Sequence, residues 1–225
     1  LLVDEGQTRY TSGAGRWHPD FAIRYSNSVG DWDFGVAHFY GTSREPSFSV
    51  GPGTGGEFML VPEYELINQT SLDVQYTTGA WLWKFEGVFR QGMKNALGTQ
   101  QNYASFVGGF EYTLFGVLDS AADLGLLAEY MRDSRLEKAT EPLQNDVFLG
   151  ARLALNDAPD TQLLAGVIQD LQHNTRLFSV EASRRVGDSL KLTVELRSFH
   201  SVARRDPLSD LRDDDHLQVE LAYFF

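Results

Sequence analysis

Apolar and polar residues alternate through most of this chain, in segments of about ten residues separated by turn-forming residues. The stretch "SLDVQYTTGAWLWKFEGVF" is the clearest instance. Leu72, Val74 and Tyr76 alternate with Asp73, Gln75 and Thr77, and Thr78-Gly79 turns the chain. Trp81, Trp83, Phe85 and Phe89 then lie opposite Lys84, Glu86 and Arg90. A period of two puts successive side chains on opposite faces of a strand, so this stretch is a hairpin with one apolar and one polar face.

The same pattern predicts strands over 18–26, 32–40, 64–77, 81–90, 103–114, 122–131, 145–155, 161–170, 176–186, 190–199 and 215–225. Short turns such as "NSVGD", "TTGA", "LFGVLDSA", "NDAPD" and "VGDS" are rich in Gly, Asn, Asp and Pro, as tight connections require. Longer connections over 41–63, 91–102, 132–144 and 200–214, with a shorter one near 171–175, alternate with them. Short turns at one rim and long loops at the other predict an up-and-down barrel. One segment is ambiguous. "SAADLGLLAEYMRDSRLEKA" spaces Leu124, Leu127, Ala128 and Met131 for a helix behind Ser120 and Asp123, but as a strand it points Leu124, Leu126, Ala128 and Tyr130 outward. The flanking hairpins favour the strand, because context overrides propensity.

Large aromatics fall at the ends of the predicted strands. Tyr25, Trp32, Tyr76, Trp81, Tyr112 and Tyr223 lie beside short turns or the last residue, and Tyr40, Phe89 and Tyr130 lie at the opposite ends. Aromatic rings favour the boundary between hydrocarbon and water, so the two rows read as membrane-interface girdles. Composition fits this picture. At 42% hydrophobic residues and a mean hydropathy of -0.28, no stretch approaches the roughly 20 apolar residues of a spanning helix, whereas a barrel strand needs about 9–11 residues and hides polar groups at alternate positions. A net charge of -12 argues against a nucleic-acid partner. The absence of cysteine removes disulfides and thiolate metal sites.

The chain ends "LQVELAYFF", with Leu217, Val219, Leu221, Tyr223 and Phe225 on one face. In this, and in its alternating hairpins over about 18–225, it resembles the outer-membrane β-barrel proteins of Gram-negative bacteria, with porin-like barrels the nearest functional group. The resemblance implies that these five residues form the signal read by the barrel-assembly machinery. It also implies a bacterial outer-membrane location with a periplasmic C-terminus, and outer-membrane lipid and lipopolysaccharide as surroundings. A homo-oligomer or an envelope protein partner fits the apolar face as well as lipid does. The expected fold is therefore all-β, a transmembrane antiparallel up-and-down barrel with about 11–12 visible strands. Eleven strands are an odd number, whereas bacterial single-chain barrels have an even one. Residues 1–17 are accordingly expected to be an extracellular loop or the tail of a missing strand, and 18–225 the C-terminal part of a larger barrel. A complete twelve-strand barrel using the N-terminal segment is the alternative.

Inward positions carry charge of both signs: Asp73, Lys84, Glu86, Arg90, Glu111, Glu129, Arg152, Glu181, Arg185, Lys191, Glu195, Arg197 and Glu220. Facing rows of opposite charge would select solutes in a water-filled lumen; ion pairs across neighbouring strands would merely solvate or plug it. Other motifs carry less. "GPGTGG" (Gly51–Gly56) lacks the Lys-Ser/Thr and the β-α context of a phosphate loop. "LRDDDH" (Leu211–His216) could hold divalent cations or lipopolysaccharide head groups, and reads more simply as a solvated acidic loop. His38 has no His-x-Ser-Asn pattern around it, His200-Ser201 opens a loop without an evident orienting acid for hydrolysis, and no histidine pair has metal-ligand spacing. The sequence thus predicts no catalytic residue, metal or cofactor. It predicts a channel for passive diffusion of small polar solutes, with a non-conducting scaffold of an export or lipid-trafficking assembly as the alternative and an outer-membrane hydrolase as a remote one.

Overall fold

The computed structural model describes residues 2–53 and 56–225. Its strands are β1 (Arg9–Tyr10), β2 (Phe21–Val29), β3 (Trp32–Thr42), β4 (Ser47–Pro52), β5 (Phe58–Tyr64), β6 (Leu66–Thr78), β7 (Trp81–Gln91), β8 (Tyr103–Leu114), β9 (Asp123–Asp133), β10 (Asn145–Ala154), β11 (Gln162–Asp170), β12 (Arg176–Val186), β13 (Leu190–His200) and β14 (His216–Tyr223). The protein is all-β, with only short 3-10 turns besides, and no helix is long and apolar enough to cross a membrane. Eleven strands form one antiparallel up-and-down sheet, in the order β14-β13-β12-β11-β10-β9-β8-β7-β6-β3-β2. Among the described residues β2 and β14 are edges, so the sheet is not closed into a barrel.

The ambiguous segment is the strand β9. Its register against β10 pairs Leu124 with Leu153, Leu126 with Ala151, Ala128 with Leu149 and Tyr130 with Val147. A helix would break this ladder and leave the apolar face of β10 unmatched. The 41–63 connection differs from expectation, because it folds into a second sheet. Phe48 faces Pro62, Val50 faces Leu60 and Pro52 faces Phe58 in the β4–β5 pair. Residues near the start complete this sheet: Arg9 and Tyr10 pair in parallel with Glu63 and Tyr64, with the tyrosine rings stacked at 5.4 Å. Thr54 and Gly55 of "GPGTGG" lie outside the described residues.

The chain divides into two compact units. The first comprises Leu1–Val74, Glu86–Phe106 and Asp133–Thr140. It holds a small apolar cluster of Ile67, Met93 and Tyr103, with Phe39 packed against it. Met93 comes from a long connection rather than from a strand, so this connection folds onto the sheet. In the β2–β3 pair, Phe21 faces Tyr40, Ile23 faces His38, Tyr25 faces Val36 and Val29 faces Trp32.

The second unit comprises Gln75–Phe85, Val107–Arg132 and Glu141–Phe225. Its register aligns apolar residues across six strands. One row runs Val219, Val194, Ala182, Leu163, Leu153, Leu124, and the next runs Leu217, Leu196, Val180, Ala165, Ala151, Leu126. Large side chains on this face are exposed among the described residues: Leu149 is 53% exposed, and Leu217, Val219, Leu221 and Tyr223 are 61–65% exposed. On the opposite face Glu181 faces Glu195, Ser179 faces Arg197 and Arg185 faces Lys191. A one-residue slip would exchange the faces of a strand and put charged residues into the apolar rows.

Candidate functional site

The polar face is the part of the molecule where charge collects, and its ion pairs share a device. Arg152 on β10 pairs with Glu111 on β8, across β9, where Gly125 lies between them. A Cβ on Gly125 would come within 2.9 Å of the Glu111 carboxylate. Arg24 on β2 pairs with Asp73 on β6 at 2.8 Å, across β3 at Gly35, where a Cβ would meet the Arg24 guanidinium at 2.3 Å. In both cases glycine removes the side chain that would stand between the charges. Arg197 bonds Glu195 at 2.5 Å and approaches Glu181 at 3.7 Å. Arg90 donates to Gln69 at 2.7 Å and lies 3.5 Å from Glu45.

The remaining predicted inward charges are not joined in ion pairs. Among the described residues Lys84, Glu86, Glu129, Arg185, Lys191 and Glu220 have no ion pair. Pairing across strands therefore accounts for one part of the set, and solvated charge for the other. Arg24 belongs to the same face and was readable as such, since it alternates with Ile23 and Tyr25.

Two long connections fold down beside this face in the first unit. Arg135, with its side chain 1% exposed, donates through Nη2 and Nε to Asp133 at 2.7 and 3.0 Å, and its guanidinium carbon lies 3.5 Å from the Tyr103 ring centroid. The Ala96 amide donates to the Lys138 carbonyl at 3.0 Å and ties the two connections together. Lys94 then joins Glu63, its closest partner, to Glu65 at 3.7 Å, so the three-stranded sheet is anchored to the same place. Local pattern did not show these contacts, because Lys94, Ala96, Arg135 and Lys138 stand in polar connections without periodicity.

The predicted interface aromatics form local groups. Trp81, Trp83, Phe110 and Tyr112 make one cluster on β7 and β8, with Trp81 and Tyr112 centroids 4.5 Å apart. Tyr25 contacts Phe34 at 6.3 Å, Tyr40 contacts His18 at 6.0 Å, and the Tyr130 hydroxyl donates to Asn145 at 2.9 Å. Trp32 stands across from Val29 beside a short turn, Tyr76 near the end of β6, and Phe89 is exposed near the end of β7. At the C-terminus Tyr223 and Phe225 stack at 6.3 Å.

Histidine geometry bears on hydrolysis. Ser198 Oγ and His200 Nε2 are 2.8 Å apart, but Asp215 accepts from Ser198 at 3.1 Å and from the Phe199 amide at 2.7 Å. A nucleophile needs its acid on the far side of the histidine, so this order lacks the orienting contact. His38 bonds Thr70 at 3.0 Å.

Two carboxylates next to strand starts pin the neighbouring strands. The Thr42 amide is the main cause holding the Asp20 carboxyl below its ordinary range, with His18 and Arg44 adding to it. The Phe199 amide does the same for Asp215, followed by the Ser198 hydroxyl. A depressed carboxyl pKa stabilises the fold above the unfolded value of about 3.9, and that contribution disappears as pH falls through the folded value. Amide-exchange protection of Thr42 and Phe199 is therefore expected to be constant from about pH 5 to 8 and to fall below about pH 4. Protection of both amides that stays unchanged down to the pH of global acid unfolding would show that these carboxylates do not hold the two strand ends.

No protein-family model, curated protein or solved structure matches this chain.

Proposed function

We propose that this sheet is part of an outer-membrane β-barrel whose polar face lines a porin-like passage for the diffusion of small polar solutes. The observation that carries the reading is the two-faced sheet. Six neighbouring strands align their apolar residues on an uncovered face while charged residues occupy the other. In water such a surface exceeds what a soluble protein ordinarily exposes, whereas lipid tails cover it without cost.

The edges support a larger barrel. Strands in an eleven-member antiparallel sheet alternate in direction, so β2 and β14 run the same way and would meet in parallel. Antiparallel closure needs an odd number of further strands between them. Lipid offers no partner to unpaired strand N–H and C=O groups, so an open edge is not stable there. In this reading the short turns and Phe225 are periplasmic, and the long connections are extracellular. Leu217, Val219, Leu221, Tyr223 and Phe225 present the assembly signal, and lipid, lipopolysaccharide or a second protomer covers the apolar face.

A planar-bilayer experiment tests the passage. The purified full-length protein is expected to give stable ohmic current steps. A silent bilayer, with insertion verified by protease protection, sinks the diffusion reading. It would favour the second reading, a non-conducting scaffold within an export or lipid-trafficking assembly. The specific observation behind that second reading is the pair of connections folded down around Tyr103, Met93 and Arg135.

A further inference from the structure

We propose that Asp170, His173 and Asp206, with Asp146 beside them, bind one divalent cation of the Mn2+ or Zn2+ kind. The site stands apart from any conducting role of the sheet. Ligand atoms of Asp170, His173 and Asp206 all lie within 4.8 Å of one another. Bonds of about 2.0–2.4 Å to one central ion span this distance. Asp146 faces Asp170 directly in the β10–β11 ladder and lies within electrostatic range of all three.

The charge balance at this place is unusual. Asp146, Asp170 and Asp206 are 1%, 4% and 3% exposed, and among the described residues none of them pairs with a lysine or arginine. His173 is the basic group placed against the cluster, with its Nδ1 3.4 Å from Asp170. Three buried carboxylates against one imidazole leave negative charge that burial does not tolerate without a counter-ion or protons.

An independent observation points to a ligand. Gln144 is 1% exposed, and neither its amide oxygen nor its amide nitrogen has a hydrogen-bond partner; the Gln172 side-chain oxygen is also buried without one. These are all the unpartnered buried side-chain polar atoms found in the second unit among the described residues. Both glutamines adjoin residues of the cluster along the chain. Gln172 stands between Asp170 and His173 with its backbone N–H on the Asp170 carboxylate at 2.5 Å. Gln144 precedes Asn145, whose carbonyl accepts from the Leu171 amide at 2.9 Å and whose amide donates to Asp146 at 2.9 Å. Buried amides are ordinarily satisfied, so their concentration here marks a place built for a further polar partner. Amide oxygens are good ligands to the same ions.

The donor set decides the class of ion. Carboxylate and amide oxygens with one imidazole and no thiolate suit Mn2+ or Zn2+, whereas Ca2+ prefers oxygen ligands alone. The ion would join the β11–β12 connection, which carries Asp170 and His173, to the long connection before β14, which carries Asp206. Thr175 already donates to Asp206 across the same gap.

Calorimetric titration of the EDTA-treated full-length protein with Mn2+, Zn2+ and Ca2+ separately tests the site. Expected is one equivalent of Mn2+ or Zn2+, bound at least tenfold more weakly by His173→Gln and not measurably by Asp206→Asn. The exposed pair Asp213→Asn/Asp214→Asn is expected to bind as the parent does. His173 lies at the rim of the cluster, so its variant decides the matter if Asp206→Asn fails to fold. No uptake of any of the three ions overturns the proposal. So does binding that the His173 and Asp206 variants leave unchanged, or tight Ca2+ binding that is indifferent to His173.

Discussion

Replacing Leu149 by Arg is expected to destabilise the protein in lipid vesicles by about 2–4 kcal/mol, measured by urea unfolding, because an arginine near the bilayer midplane of a barrel costs that much. Leu149 is in the middle of β10, opposite Ala128 and Val167, on the uncovered apolar face. At 53% exposure it would be an ordinary surface position in a water-soluble protein, and the same change would alter stability by no more than about 0.5 kcal/mol. The two environments thus predict outcomes several-fold apart. Thr193→Arg supplies the comparison, since Thr193 faces Glu220 and Ser183 on the polar side and is expected to tolerate the change within about 0.5 kcal/mol. Equal costs at the two positions would falsify the assignment of the apolar face to lipid.

Removing the carboxylate beneath Arg135 has an effect of similar size for a different reason. Asp133→Ala removes the bidentate carboxylate from a guanidinium whose side chain is 1% exposed, at an expected cost of about 3–5 kcal/mol in unfolding free energy. Asp133 also accepts from the Arg135 backbone amide at 2.7 Å, so the turn itself loses an anchor. The charge rather than the contact dominates. The double variant Asp133→Ala/Arg135→Met is therefore expected to recover most of the loss, because a buried ion pair is often matched by apolar side chains of similar volume. Failure of the double variant to recover would mean that the stack on Tyr103, and not the charge balance, is what the fold needs. If these connections restrict a passage, the single variant also raises the conductance of the reconstituted protein.

The strands of the main sheet were legible because both of their faces are constrained. β8 and β12 occupy the expected 103–114 and 176–186, and the other members differ from expectation only near their ends. Alternation fails as a guide where a segment is short or rich in turn residues. Phe48, Val50 and Pro52 alternate with Ser47, Ser49 and Gly51, but Pro and Gly around them read as a loop. The pairing that makes β5 a central strand comes from Arg9 and Tyr10, more than fifty residues away. For β9, the local helical spacing was outweighed by a ladder to β10 that only the folded chain contains.

The candidate sites divide in the same way. The sequence alone determined which face of each strand is polar, and so which charged residues share a surface, because the period of two leaves no freedom once a strand forms. It determined neither the partners of those charges nor the fate of the connections. Whether Arg152 meets Glu111 depends on sheet order and on Gly125 one strand over. Whether Asp170, His173 and Asp206 converge depends on two connections whose residues follow no repeat. Strand faces are set by local geometry, whereas loop burial and ion pairing are set by what the rest of the chain brings alongside. That is why tertiary structure alone decided them.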